Sequence, residues 1–148
     1  MYNNIKIAVA VSHSNKFESV HFGNADKYLI FEWNGNEISL QNELTNSFKS
    51  FDEEQVHGSK KKGNLIIELL KENNIQVLVS KQFGINIKMV NRHFIPVIIN
   101  KDTSEDILLA ALIRHIFWIE EELKSHRDEY KLFIIKKGIL KTAIEKTK

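Results

Sequence analysis

Five short runs, each of strand length, are the feature that most constrains how this chain can fold. They are Ile5–Val11 and residues 28–33, 37–40, 75–80 and 97–100. Two segments have leucines and isoleucines at helical spacing: residues 65–71 precede the fourth run, and residues 103–125 follow the fifth. Because strands that alternate with helices form parallel sheets with right-handed crossovers, this pattern predicts an α/β fold.

The second and third runs are predicted to form a β-hairpin, because Asn34-Gly35-Asn36 separates them. An Asn-Gly pair readily takes the positive φ angles of a tight turn between antiparallel strands. The predicted sheet is therefore mixed, with five strands and helices on both sides in three layers. A chain of 148 residues with 43% hydrophobic residues is expected to build one such domain.

The segments between the strands are predicted from their polarity and periodicity. Residues 41–63 are polar and predict a long loop, and residues 86–92 predict a short helix. Residues 103–125 predict one long helix with a capping side chain at its start. Its buried face is expected to carry Leu108, Leu112, Ile116, Ile119 and Leu123.

Composition excludes several classes of function. No run is long and apolar enough to cross a membrane and the N-terminus resembles no signal peptide, so we expect a cytoplasmic protein that does not enter membranes. A net charge of +2 disfavours nucleic acid as a partner. Because the chain has no cysteine, it has no thiolate ligand to offer, so a bound metal would need histidine, carboxylate or backbone ligands.

His21 is the residue that most suggests a binding site. It lies in Ser19-Val20-His21-Phe22-Gly23, on the connection between the first two strands. A neutral imidazole is a good ligand for iron and other transition metals, although a loop histidine can equally be an ordinary surface residue. His13 in the preceding turn is open to the same two interpretations.

The order of the first strand, the Ser19–Gly23 element and the second strand resembles the dinitrogenase iron-molybdenum cofactor biosynthesis family. The likeness continues through His57-Gly58 and Phe83-Gly84 and spans roughly residues 5–123. It implies a ribonuclease H-like fold that binds iron-molybdenum cofactor or an iron-sulfur precursor cluster. It also implies His21 and His57 as metal ligands, with cofactor contacts from Phe22, Gly23, Lys81 and Gly84.

The chain departs from the family at the end of the fourth strand. The family commonly has a Gly-Gly pair there, whereas this chain has Lys81-Gln82. Glycine pairs let a ligand approach the backbone closely, so the replacement indicates either a different ligand pose or a relative that has lost cofactor binding. The lysine and the following backbone N–H groups are suited to a small anionic ligand.

The resemblance and the α/β pattern divide the chain at residue 126. Residues 1–126 are predicted to form the family-like domain, and residues 127–148 a C-terminal extension. The extension contains two apolar runs, residues 132–135 and 139–140. Exposed apolar runs are sticky, so we expect them to pack either on the domain or on a second copy in a homodimer.

The leading hypothesis is a small non-catalytic protein that binds or carries a metal cluster. The first strand has no acidic residue for a nuclease metal site, and no Gly-x-Ser-x-Gly or His-Glu-x-x-His motif occurs. The alternative is an interaction module of the same fold that has lost cofactor binding and recruits a protein partner. An enzyme acting on a small anionic substrate is a third, weaker hypothesis.

Overall fold

A seven-stranded mixed sheet organises the computed structural model of this chain. The structure describes residues 4–17, 21–48, 58–83, 87–99, 105–125, 128–135 and 139–142. The strands are β1 (Ile5–Val11), β2 (Lys27–Trp33), β3 (Ile38–Thr45), β4 (Val77–Ser80), β5 (Ile95–Ile99), β6 (Leu132–Ile135) and β7 (Ile139–Thr142). Their order across the sheet is β3-β2-β1-β4-β5-β6-β7. β1 is antiparallel to β2 and parallel to β4, which confirms the predicted mixed sheet.

Helices cover both faces of the sheet, as predicted for a three-layer α/β domain. They are α1 (Gly58–Glu72), α2 (Ile87–Val90), α3 (Glu105–Arg114) and α4 (Ile116–Lys124). Ile66 and Leu70 of α1 pack on one face of the sheet, against Ala8 and Tyr28. The buried sides of α3 and α4 pack on the other face. Alternate residues of each strand therefore belong to two separate cores, because successive side chains of a strand point to opposite faces.

The predicted hairpin is confirmed and is longer than expected. Gly35 has a φ angle of 95°, and the side-chain oxygen of Asn34 accepts the backbone N–H groups of Asn36 and Glu37, each at 2.9 Å. β3 continues to Thr45, which pairs with Lys27. The predicted loop over residues 41–63 is therefore wrong at both ends, since α1 begins at Gly58. β3 is an edge strand with polar side chains on both faces, so it lacks the alternation that reveals a strand.

The predicted long helix over residues 103–125 is interrupted at His115. This residue has φ and ψ angles of −114° and 15°, and its N–H donates to the carbonyl oxygen of Leu112, three residues back. A bond of this type tightens one turn and breaks the α-helical pattern. The buried face is nevertheless as predicted, with Leu108, Leu112, Ile116, Ile119 and Leu123 all in the core. The predicted cap at residues 102–104 lies outside the described residues.

The sheet has seven strands rather than the predicted five, because residues 132–142 add two. β6 is parallel to β5 and antiparallel to β7. Phe133 and Ile135 are buried in the same core as α3 and α4. The buried carboxylate of Glu122 on α4 accepts the Lys131 N–H at 2.9 Å, which ties the start of β6 to the helix. Residues 132–135 thus cover the edge of β5 as part of the sheet.

Replacing Leu112 with alanine should lower the free energy of unfolding by about 2–5 kcal/mol, because it opens a cavity in a closely packed core. Leu112 is fully buried between α3 and the sheet. The matched control is Leu40→Ala on β3, where the leucine is 52% exposed. The control should cost less than about 1 kcal/mol. Chemical denaturation measures both, and equal losses would show that the helix register is wrong.

Phe133→Ala should cost about 3–5 kcal/mol of unfolding free energy, as expected for a fully buried aromatic side chain. Lys131→Ala retains the backbone N–H that Glu122 accepts, so it should have little effect. Thermal or urea denaturation distinguishes the two. A Phe133→Ala protein as stable as the parent would mean that β6 is not part of the core in solution.

Candidate functional site

The carboxyl ends of β1 and β4 meet at one edge of the sheet, where the strand order changes direction. From β1 the chain turns back into β2 on one side, whereas β4 and the later parallel strands lie on the other side. Open α/β sheets bind ligands in the crevice outside such a point. We call the residues there, 12–17, 21–26, 46–48 and 80–83, the β1–β4 edge.

His21 is held at the β1–β4 edge by the backbone. It forms an isolated parallel bridge with Gln82, and the N–H of Phe22 donates to the Gln82 carbonyl oxygen at 3.1 Å. The structure therefore brings His21 next to the Lys81-Gln82 segment. The sequence identified these two parts of the chain separately. A single turn of 3₁₀ helix, Phe22–Asn24, follows, and the His21 side chain is exposed.

Phe22 anchors this turn in the core. Its ring is buried and stacks on Tyr28 and Phe83, with centroid distances of 4.6 and 5.5 Å. The Tyr28 hydroxyl donates to the Phe22 carbonyl oxygen at 2.9 Å. Burial raises the pKa of Tyr28, so the phenol keeps the proton that this hydrogen bond needs. The Phe22 ring thus holds the turn against the core.

Asn46 fixes the other side of the turn, and sequence analysis did not identify it. Its buried side-chain amide donates to the carbonyl oxygens of Gly23 at 2.9 Å and Ala25 at 2.8 Å. Its side-chain oxygen accepts the Phe48 N–H. No local pattern could have revealed this role, because the partners are 21 and 23 residues away.

Gly23, another residue of the turn, is not required by the space around it. A Cβ atom at this position would lie 3.6 Å from the Ile66 side chain, which is an ordinary contact.

Lys81 provides a positive charge at the β1–β4 edge. Its side chain is buried, only 8% exposed, and its ammonium lies 5.8 Å from the centre of the Phe17 ring, within cation–π range. The hydroxyl of the preceding Ser80 is buried without a hydrogen-bond partner in the described part of the chain. Two other residues assigned to the site, His57 and Gly84, lie outside the described residues.

His13 lies at the same edge and is oriented by Asp26. The backbone N–H of His13 donates to one carboxylate oxygen of Asp26 at 3.0 Å, and its Nε2 lies 3.7 Å from the other. The imidazole is 80% exposed. The remaining described histidines lie elsewhere: His93 comes just before β5, and His115 lies between α3 and α4. Partial burial, followed by the positive charge of Arg114, lowers the pKa of His115.

Two histidines, His13 and His21, lie among the described residues of the β1–β4 edge. Structural and catalytic metal ions usually take three or four protein ligands. Within the described ranges, no group of three histidine, cysteine, aspartate or glutamate side chains is placed to hold a metal ion. An exposed imidazole can ligate one metal of an anionic cluster that supplies its own sulfides.

Comparison with known families places most of the chain in a family model. The family model described as "Dinitrogenase iron-molybdenum cofactor" matches residues 3–112. The match covers most of the chain, from β1 to the greater part of α3, and includes every residue of the β1–β4 edge. A search of curated proteins found no match. None of the helices in the described ranges combines the length and apolar character that crossing a membrane requires.

Asn46→Ala should lower the free energy of unfolding by about 1–3 kcal/mol, because it leaves carbonyl oxygens of the turn without their donor. It should also speed amide hydrogen exchange in residues 22–25, since the turn loses one of its ties. Asn42→Ala, at an exposed position of β3, is the matched control and should change neither. If exchange in the turn is the same in the parent and in Asn46→Ala, the amide does not hold the turn.

Proposed function

The chain belongs to the dinitrogenase iron-molybdenum cofactor family, and we propose that it is a small non-catalytic protein that binds or carries iron-molybdenum cofactor or an iron-sulfur precursor cluster. The observation that carries the proposal is the position of His21, exposed on a fixed turn at the β1–β4 edge. The imidazole is proposed to ligate one metal of the cluster, and His57 to supply a second ligand.

The fixed turn favours cluster binding because its residues need little further ordering when the cluster binds. The backbone bridge to Gln82, the buried Phe22 ring and the Asn46 amide all hold the turn in place. Ordering a flexible residue costs roughly 1–2 kcal/mol in backbone entropy, and a preformed turn avoids most of that cost.

Lys81 is proposed to attract the negative charge of the cluster. Because the lysine is largely buried, its charge is less screened by water than that of a surface lysine. Its ammonium also lies over the ring face of Phe17. Gly84, which lies outside the described residues, is proposed to let the cluster approach the backbone, in a pose that differs from one on a Gly-Gly pair.

We propose no catalytic step at this edge. The chemistry supported by His21, Lys81 and the surrounding backbone is ligation and charge attraction. A cytoplasmic location, where the chain would meet cofactor-assembly proteins, is part of the same proposal.

The second candidate is an interaction module of the same fold that has lost cofactor binding and recruits a protein. The side chain of Lys81 favours it, because a lysine occupies space where the resemblance leads us to expect glycine. In that case Lys81 and Phe17 would be a structural pair that closes this edge of the sheet.

Anaerobic reconstitution of the full chain with ferrous iron and sulfide separates the two candidates. Bound iron and cluster absorbance are measured for the parent, His21→Ala and His57→Ala. His21→Ala should weaken iron binding by about tenfold or more, since even indirect supports of a metal ligand are worth that much. His57→Ala should act in the same direction but less strongly.

The matched control is His93→Ala. His93 is also an exposed histidine, but it precedes β5 and so lies at the opposite edge of the sheet. Its removal should leave iron loading unchanged. Equal loading of the parent and His21→Ala would exclude His21 as a ligand. A parent that takes up no iron would favour the interaction module.

A further inference from the structure

The layer formed by α3 and α4 is apolar on both of its sides. The inner side packs in the core, as described above. On the outer side, four large apolar side chains are between 41% and 64% exposed: Ile107, Ile113, Phe117 and Trp118. We call these four residues the outer apolar patch. Large exposed apolar patches, especially those rimmed by polar residues, mark interaction sites.

The outer side of this layer is complementary to itself. Ile113 and Phe117 lie two residues before and after His115, and Asp106 and Lys124 lie nine residues before and after it. Asp106 and Lys124 are both exposed. If a second α3–α4 layer lies antiparallel across this one, with the two-fold axis near His115, each Ile113 meets a Phe117. At both ends of the contact an Asp106 then faces a Lys124.

We propose that a second copy of this chain covers the outer apolar patch and forms a symmetric antiparallel dimer through α3 and α4. Contacts of this kind use the same surface on both subunits, so they close after two copies. The central apolar residues would provide most of the affinity, and the two Asp106–Lys124 pairs would set the direction of the helices.

The charges of this surface favour a second copy over other occupants. The outer side has exposed charged residues of both signs: Asp106 and Lys124 lie near its two ends, and Arg114 and Glu121 lie between them. Nucleic acid and anionic membranes require a surface of one positive sign. A surface with opposite charges at its two ends matches itself after a rotation of 180°.

Sedimentation equilibrium of the full-length parent, over a range of concentrations, tests the proposal. The parent should be a dimer. Phe117→Glu should raise the dimer dissociation constant by about thirtyfold or more, as expected for a central aromatic residue of an interface. The matched control is Leu40→Glu, an equivalent exposed apolar residue on β3, and it should leave the constant unchanged. Circular dichroism confirms that each variant is folded.

A charge swap tests the antiparallel register separately. Asp106→Lys or Lys124→Asp alone should weaken the dimer by about two- to tenfold, because each places like charges together at both ends. The double variant should return to near the parent value. A monomeric parent would overturn the proposal and indicate that some other molecule covers the patch. A dimer insensitive to Phe117→Glu, or a double variant no better than the singles, would also overturn it.

Discussion

Strand β1 is the constraint on which the rest of the structure depends. It is hydrogen-bonded along both edges, to β2 and to β4, and it is buried on both faces. Its larger side chains, such as Ile7 and Val9, face the α3–α4 core, whereas Ala8 and Ala10 face the α1 core. The small alanines leave room for Phe22 and Tyr28 on that side. Because β1 separates the antiparallel and parallel halves of the sheet, its carboxyl end is the switch point at which open α/β sheets usually bind ligands.

The position of His21 at this switch point makes a loop histidine a candidate ligand. A loop of this length could hold His21 in many positions, but three contacts restrict it. The Gln82 backbone lies just after β4, and the Asn46 amide lies just after β3. The third contact is the Phe22 ring, which stacks in the core. Contacts from the sheet therefore hold the turn in place, while the His21 imidazole remains exposed. Lys81 lies next to it because it directly follows β4.

The two ends of the sheet differ in how their exposed strand edges are protected. An exposed strand edge invites aggregation. At one end β3 is strongly polar and contains an irregularity in its pairing with β2. At the other end β6 and β7 extend the sheet beyond β5, and Glu122 on α4 holds the chain where it enters β6. The helices that pack over this half of the sheet also carry the outer apolar patch, so the side chains that complete the core come from the same helices as the exposed ones.

The sequence by itself determined the elements whose signals are local. The alternation in β1, the Asn34-Gly35 turn and the buried face from Leu108 to Leu123 each depend on neighbours a few residues away, and each was predicted. Placing His21 on the connection between the first two strands followed in the same way. Tertiary structure decided what depends on distant partners. It extended β3, whose polar faces carry no periodic signal, and it added β6 and β7 to a sheet that begins more than a hundred residues earlier. It also made Asn46 a support of the turn and buried Lys81. Hydrogen bonding and burial depend on which segments meet in space, whereas residue spacing in the sequence shows only which residues are near each other along the chain.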